Sequence, residues 1–328
     1  MSKEKFTRED LSSLISQGHL LPQHTDEALV LSGISPDAHS WRQFIETLLL
    51  WLGTLSLALA LMFLVAFNWS ELGRFTQFGL VEVAVIAAMA VYLKMPKESL
   101  LSTASLVLAS LFLGVLLALY GQTYQTGADT WQLFFYWALL ILPWTLLAKL
   151  PAQWILWITL LNISIIFYFD QFNSLLWMVF SSDTSLLWVL FIFNLSVHIL
   201  WELNSFRLKS KNNEAWYIRL LVLASGMPLT WLMFVAILDK KSVLITFIIW
   251  VLYLSALYVM YKRVKPDLFI LAWGCFSAIA VIITFIGKHL LKDVDSSGPW
   301  LVLSLAVIAL GTASAYWLKH VNKELQHA

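Results

Sequence analysis

The chain has 328 residues, of which 60% are hydrophobic and 12% are charged, whereas soluble domains carry roughly 25% charged residues. Its 21 lysines and arginines nearly balance its 20 acidic residues, so the net charge indicates no nucleic-acid partner. The single cysteine, Cys275, excludes an internal disulfide, and no metal-ligand spacing or cofactor motif is present. The composition therefore predicts a membrane protein without a metal or a cofactor.

The first forty residues are polar and predict two short helices ahead of the membrane region. The first helix has an apolar stripe at helical spacing, and a second is expected over residues 23–31. Helices this short cannot bury a core alone, so they either pack on the membrane region or bind a cytoplasmic protein partner. The predicted division is a cytoplasmic segment over residues 1–40 and an integral membrane domain over residues 41–328.

Ten apolar runs follow, each about long enough for a helix to cross the roughly 30 Å hydrocarbon core of a bilayer. Lipid cannot satisfy an open strand edge, so the prediction is an all-α protein with about ten transmembrane helices. The runs lie at about 44–67, 73–93, 100–120, 131–149, 152–170, 184–201, 217–238, 242–261, 266–287 and 299–318.

The lysines and arginines are distributed unevenly between the two sets of connections. With ten alternating crossings, 16 of the 21 fall on the side of the two termini, and five fall on the other side: Arg74, Lys240, Lys241, Lys288 and Lys292. Cytoplasmic connections carry the excess of basic residues. Both termini are therefore predicted to be cytoplasmic.

Three segments of the first 145 residues form motifs with a consistent order and spacing. They are Leu11-x-x-Leu14-Ile15-x-x-Gly18-x-Leu20, then Ala66-Phe67-Asn68-Trp69 with Arg74-Phe75 and Gly79-Leu80-Val81-Glu82, and then Gly121-Gln122-x-Tyr124-Gln125-x-Gly127-Ala128-Asp129 with Trp137 and Pro143. Together they resemble the bacterial family of predicted membrane proteins catalogued as domain of unknown function 2157. The resemblance implies a bacterial inner-membrane protein and supplies no known activity.

Glu82 is an acidic residue near the middle of the second run, about 14 Å from its outer end at 1.5 Å per residue. A charged residue at that depth costs at least about 2.5–3.5 kcal/mol, and such residues usually face a bundle interior or a water-filled cavity. Two roles remain open. Glu82 is either a carboxylate that couples a proton or pairs with a substrate, or a protonated donor to a neighbouring helix.

Polar and aromatic residues of the predicted outer side complete a candidate ligand site. Short connections favour packing of the first four helices as neighbours, and the candidate residues are Glu82, Asn68, Trp69, Gln122, Tyr124, Gln125 and Asp129. Their amide, hydroxyl, aromatic and carboxylate groups suit a neutral or cationic polar ligand. Asp129 has a second interpretation, as the N-terminal cap of the fourth membrane helix.

Two runs contain an interior proline: Pro143 in the fourth, and Pro228, shortly after Gly226, in the seventh. Proline removes a backbone hydrogen bond, so helix breaks are predicted at both places. Transporters build binding sites at such breaks. Further polar residues inside the runs are expected to hydrogen-bond between helices: Asn162, Ser164, Asn194 and His198.

Three classes of function remain open, and the sequence leans towards the first. They are a non-catalytic membrane protein that senses or scaffolds at the cell envelope, a secondary transporter with Glu82 as the coupling carboxylate, and an enzyme acting on a lipid-linked substrate. The third is least favoured because the outer connections offer no obvious acid/base pair. The oligomeric state has no signal in the sequence.

Overall fold

The computed structural model describes residues 8–17, 19–21, 24–32, 38–67, 73–97, 99–176, 184–208, 215–240, 242–290 and 298–327. Within these ranges every regular element is a helix, which confirms the all-α prediction. Ten of the described helices are long and apolar enough to cross a membrane, in agreement with the ten predicted runs. The side of the membrane on which the termini lie stays a prediction.

Two short helices come first, α1 (Arg8–Ser16) and α2 (Thr25–Leu31). The long helices follow in chain order: α3 (Ala38–Phe67), α4 (Arg74–Lys94), α5 (Leu100–Tyr124), α6 (Thr130–Ala148), α7 (Pro151–Leu176), α8 (Ser185–Leu208), α9 (Ala215–Asp239), α10 (Val243–Val259), α11 (Leu268–Leu290) and α12 (Gly298–His327). A π-helical turn, Met260–Val264, continues α10.

Local residue chemistry sets the ends of α5. At its start, the Ser99 side chain accepts a hydrogen bond from the backbone N–H of Ser102 at 3.1 Å, as an N-cap residue should. At its end, Gln125 adopts the left-handed conformation (φ 44°) and donates its N–H to the Gly121 carbonyl. The helix thus continues four residues beyond the predicted boundary at residue 120, and the stretch from Gly121 to Tyr124 is its last turn rather than a loop.

The connection between α6 and α7 is only two residues long, as the closely spaced fourth and fifth runs predicted. Lys149 has a positive φ of 55°, which reverses the chain. Pro151 is the first residue of α7, a position where the absent N–H costs nothing.

The helices form two compact units, each treated separately below. Unit 1 consists of Met1–Ala128 with Leu139–Leu156, and unit 2 consists of Asp129–Ala138 with Trp157–Ala328. Helices α6 and α7 therefore contribute residues to both units.

Helix α5 is the centre of unit 1 and packs against α3 and α4. Three small side chains let the helices approach closely, Ala58, Ala88 and Ala109, and Phe112 packs with them. Ser110 on α5 is fully buried and accepts hydrogen bonds from Trp144 Nε1 at 3.1 Å and from Gln153 Nε2 at 2.7 Å. These two bonds tie α5 to the unit 1 parts of α6 and α7.

Helix α9 is the most buried span of unit 2 and packs against α8, α10 and α11. Its apolar side chains form the core with residues of α10 and α11, including Leu229, Leu232, Met233, Trp250 and Ile270. Pro228 lies inside α9 and Pro143 inside α6, and both helices continue past their prolines. Neither helix is unwound at the predicted break.

Candidate functional site

A stripe of three polar residues runs along α8 in unit 2. Asn194, His198 and Glu202 are spaced four residues apart, which places them on one face of the helix. All three are buried, with relative exposures of 1%, 6% and 7%. Because polar groups in an apolar interior cost free energy unless they are hydrogen-bonded, each of them is expected to have a partner on another element.

Asn194 forms a reciprocal pair with Asn162 of α7. Each side-chain amide donates to the other's oxygen, at 2.7 Å from Asn194 and 3.1 Å from Asn162. Each amide also donates to the carbonyl four residues earlier in its own helix. Ser164 of α7 in turn donates to the backbone carbonyl of Trp131 on α6 at 3.0 Å. The helix-joining role predicted for Asn162, Ser164 and Asn194 is confirmed by these bonds.

His198 and Glu202 are linked through Tyr261, which the π-helical turn presents to α8. The Tyr261 hydroxyl lies 2.8 Å from His198 Nε2 and donates to Glu202 Oε1 at 2.7 Å. Glu202 Oε2 accepts from the Lys265 ammonium. The result is a hydrogen-bonded row, Lys265–Glu202–Tyr261–His198, which we call the α8 row. Single π-helical turns occur frequently at functional sites.

Two further ion pairs join different helices at the same end of unit 2. Arg219 of α9 binds Asp267 at 2.9 Å, and Lys262 of the π-helical turn binds Glu324 of α12 at 3.2 Å. Asp267 also caps α11, since its Oδ1 accepts from the backbone N–H of Phe269 and of Ile270. This end is therefore held by ion pairs between different elements of unit 2.

Sequence reasoning identified part of the α8 row and missed the rest. His198 was expected to hydrogen-bond between helices, which its contact with Tyr261 confirms. Glu202, Tyr261 and Lys265 were not singled out. The spacing Asn194-x-x-x-His198-x-x-x-Glu202 inside an apolar helix was the signal that could have pointed to Glu202.

Glu82 lies in unit 1 on the exposed side of α4. Its neighbours on that side are Phe75, Val83 and Ile86, which are 94%, 66% and 66% exposed. A Cβ atom added at Gly79 would meet nothing within 4 Å, so the space beside Glu82 is open within unit 1. The predicted residues Asn68 and Trp69 lie outside the described residues.

The structure brings Tyr124 together with two other aromatic rings at the end of α5. Its ring centroid lies 4.9 Å from that of Tyr120 and 6.1 Å from that of Phe78 on α4. We call Phe78, Tyr120 and Tyr124 the aromatic ledge, and both tyrosines are more than half exposed. Phe78 and Glu82 are four residues apart on α4, so Glu82 lies one turn deeper on a shared face.

The other residues predicted for the ligand site, Gln122, Gln125 and Asp129, are not part of the aromatic ledge. Gln122 is exposed but lies two residues from Tyr124, about half a turn away around α5. Gln125 is exposed and ends that helix. Asp129 belongs to unit 2 and directly precedes α6, where its backbone carbonyl accepts from the N–H of Gln132 at 3.0 Å. The capping role of its side chain stays a prediction.

A groove of ≈ 310 Å³ lies within unit 2 between α6, α7 and α8. Mostly aromatic and aliphatic side chains line it, and two of the lining residues carry a hydroxyl group, Ser164 and Tyr168: Trp131, Phe135, Ser164, Ile165, Tyr168, Phe169 and Val189. Such a lining favours hydrocarbon over a polar ligand. The groove contains none of the residues predicted for the polar ligand site.

Comparison with known protein families gives a match for part of the chain. Residues 13–154 match the model of a family described as predicted membrane protein (DUF2157). The match confirms the resemblance of the first 145 residues and ends two residues before Leu156, the last residue of unit 1. No curated protein and no solved structure matches the chain.

Proposed function

We propose that the protein is a non-catalytic, multi-pass protein of the bacterial inner membrane that binds a neutral or cationic polar ligand on its outer face. Both termini lie in the cytoplasm, and ligand binding serves sensing or scaffolding at the cell envelope. The partial match to a predicted membrane protein family and the ten long apolar helices support the membrane class.

The observation that carries the ligand proposal is the position of the aromatic ledge one helical turn above Glu82. Aromatic faces attract cations, and a carboxylate about 6 Å deeper along α4 adds a charge of the opposite sign. Residues 121–130 contain no lysine or arginine, and the basic residue on the face of Phe78 and Glu82 is Arg74 at the start of α4. The amides of Gln122 and Gln125 add exposed hydrogen-bonding groups nearby in the chain.

Replacing Tyr124 with leucine should weaken binding of a quaternary ammonium ion. The substitution keeps an apolar side chain and removes the ring face, which contributes about 0.5–1 kcal/mol at an exposed site. Affinity for tetramethylammonium should fall roughly two- to fivefold, since 1.4 kcal/mol corresponds to a factor of about ten. Titration of the detergent-solubilised protein, followed by tyrosine and tryptophan fluorescence, measures the change.

Tyr316→Leu is the matched control, because Tyr316 is an exposed tyrosine of α12 outside the ledge. Gln122→Ala and Gln125→Ala test the amides with a neutral disaccharide as the probe. If the wild-type protein binds neither probe saturably, or if Tyr316→Leu weakens binding as much as Tyr124→Leu, the ligand proposal is wrong.

The segment of residues 1–40 is proposed as the docking site for a cytoplasmic protein partner. Its two described helices, α1 and α2, have nine and seven residues, too few to bury a core of their own. Leu11 is buried, whereas Leu21 is 61% exposed. A partner that binds this segment would connect the outer ligand site to the cytoplasm.

A second candidate function is secondary transport with Glu82 as the coupling carboxylate. The observation that favours it is a carboxylate halfway along a membrane helix beside the open space at Gly79. In proteoliposomes, Glu82→Gln should abolish uptake of tetramethylammonium driven by a pH gradient. Glu46→Gln, at an exposed position in the first turns of α3, should leave uptake unchanged. Uptake by Glu82→Gln that equals the wild-type rate would exclude this role.

A further inference from the structure

The α8 row contains four titratable side chains joined by hydrogen bonds inside unit 2. It begins at Lys265, whose side chain is 30% exposed, and passes through Glu202, whose side chain is 10% exposed. Tyr261 and His198 follow, and both are buried. The row therefore leads from a partly hydrated ammonium group to a buried imidazole.

The chemistry of the groups fixes the positions of the hydrogens. A carboxylate only accepts hydrogen bonds, and a tyrosine hydroxyl has a single proton to donate. Because Tyr261 donates to Glu202, its oxygen must accept from His198, which therefore carries its proton on Nε2. His198 Nδ1 is then a bare lone pair, and it is buried without a hydrogen-bond partner among the described residues.

The charged groups around the imidazole come from the elements that pack against α8. Glu202 lies one turn away on α8 itself, and Lys265 follows the π-helical turn. On α9, Arg219 is paired with Asp267, and Lys262 of the π-helical turn is paired with Glu324. Glu202 is thus the acidic group that the row connects to His198.

We propose that the α8 row is a proton-binding relay, in which His198 Nδ1 takes up a proton and Glu202 receives one. When a proton binds Nδ1, the Nε2 proton passes to the Tyr261 oxygen and the hydroxyl proton passes to Glu202 Oε1. His198 is left neutral with its proton on Nδ1, Tyr261 keeps one proton, and Glu202 becomes a carboxylic acid. One proton has then moved along the row.

The transfer has a structural consequence at the end of the row. A protonated Glu202 no longer forms an ion pair with Lys265, so the contact between α8 and the chain after the π-helical turn weakens. Proton uptake at His198 is thereby linked to the packing of α8 on α10. The relay lies wholly in unit 2, so it is independent of the ligand site proposed in unit 1.

Nitrogen-15 NMR of histidine-labelled full-length protein in phosphatidylcholine nanodiscs tests the relay. The His198 signals are assigned by their loss in His198→Gln. We expect the Nε2–H tautomer of His198 in the wild-type protein near neutral pH. Exchange of this ring proton with water should be at least about tenfold slower in Tyr261→Phe, which corresponds to about 1.4 kcal/mol on the barrier. Tyr258→Phe, one turn earlier on α10, should leave the exchange rate unchanged.

Two results would overturn the relay. The first is an Nδ1–H tautomer of His198 in the wild-type protein. The second is exchange in Tyr261→Phe as fast as in the wild type. Glu202→Gln provides a second variant of nearly the same size, and it should slow the exchange as well because the acceptor of the transferred proton is lost.

Discussion

Gly226→Ala is expected to destabilise the protein by about 1–3 kcal/mol, the usual effect of adding a methyl group to a well-packed core. A Cβ atom at this position would overlap the indole Nε1 of Trp273 and would lie 3.2 Å from the Tyr253 hydroxyl. That hydroxyl is held by Ser225 at 2.9 Å and by the Val222 carbonyl at 3.1 Å. The loss should appear in the free energy of unfolding measured by denaturant titration in detergent micelles.

The controls for this prediction are glycines in helices where a methyl group meets open space. A Cβ at Gly79 or Gly311 has no neighbour within 4 Å, so alanine there should be neutral or should stabilise the helix by up to about 1 kcal/mol. Trp273→Leu should reduce the penalty of Gly226→Ala in the double variant. If alanine is tolerated at Gly226 as well as at Gly311, close packing does not explain this glycine.

The second large effect is expected for Lys265→Met, which leaves the buried Glu202 carboxylate without its ammonium partner. Removing one member of a fully buried ion pair costs about 3–5 kcal/mol. Because water reaches the Lys265 side chain, which is 30% exposed, the loss should be smaller, about 1–3 kcal/mol. The free energy of unfolding at neutral pH is the measurement.

Two further variants separate the effect of the lost charge on stability from the effect of lost packing. Arg42→Met breaks the pair with Glu46, whose side chains are 78% and 62% exposed, so it should change stability by less than about 0.5 kcal/mol. Combining Lys265→Met with Glu202→Gln should recover part of the loss, because the buried carboxylate charge is gone. Strictly additive effects of the two substitutions would mean that the two side chains do not interact.

The ten membrane helices could be predicted because an apolar run of sufficient length is a local property of the sequence. The ends were less well predicted, since they depend on single residues such as Gln125, whose left-handed conformation ends α5 after Tyr124. Gly226 was predicted to help break α9, but α9 continues through it. The indole of Trp273, 47 positions later in the chain, approaches Gly226 so closely that a side chain there would overlap it. This contact depends on the packing of two helices and could not be predicted from the local sequence.

The α8 row shows which part of a site is not accessible from the sequence. Glu202 and Lys265 are separated by 63 residues, and their contact depends on the packing of α8 against the end of α10. Tyr261 reaches His198 from a π-helical turn, which shifts the register of the side chains and has no reliable signature in helical periodicity. The ligand-binding role of Glu82 and of the α5 residues stays a prediction.

The hydrogen bonds of Ser110 set an order for the biosynthesis of the protein. Its hydroxyl on α5 receives Trp144 and Gln153, which are made 34 and 43 residues later. A chain leaves the ribosome from its N-terminus, so α3, α4 and α5 enter the membrane before unit 1 can be completed. Unit 1 is therefore completed only after residues 129–138, the first of unit 2, have been synthesised.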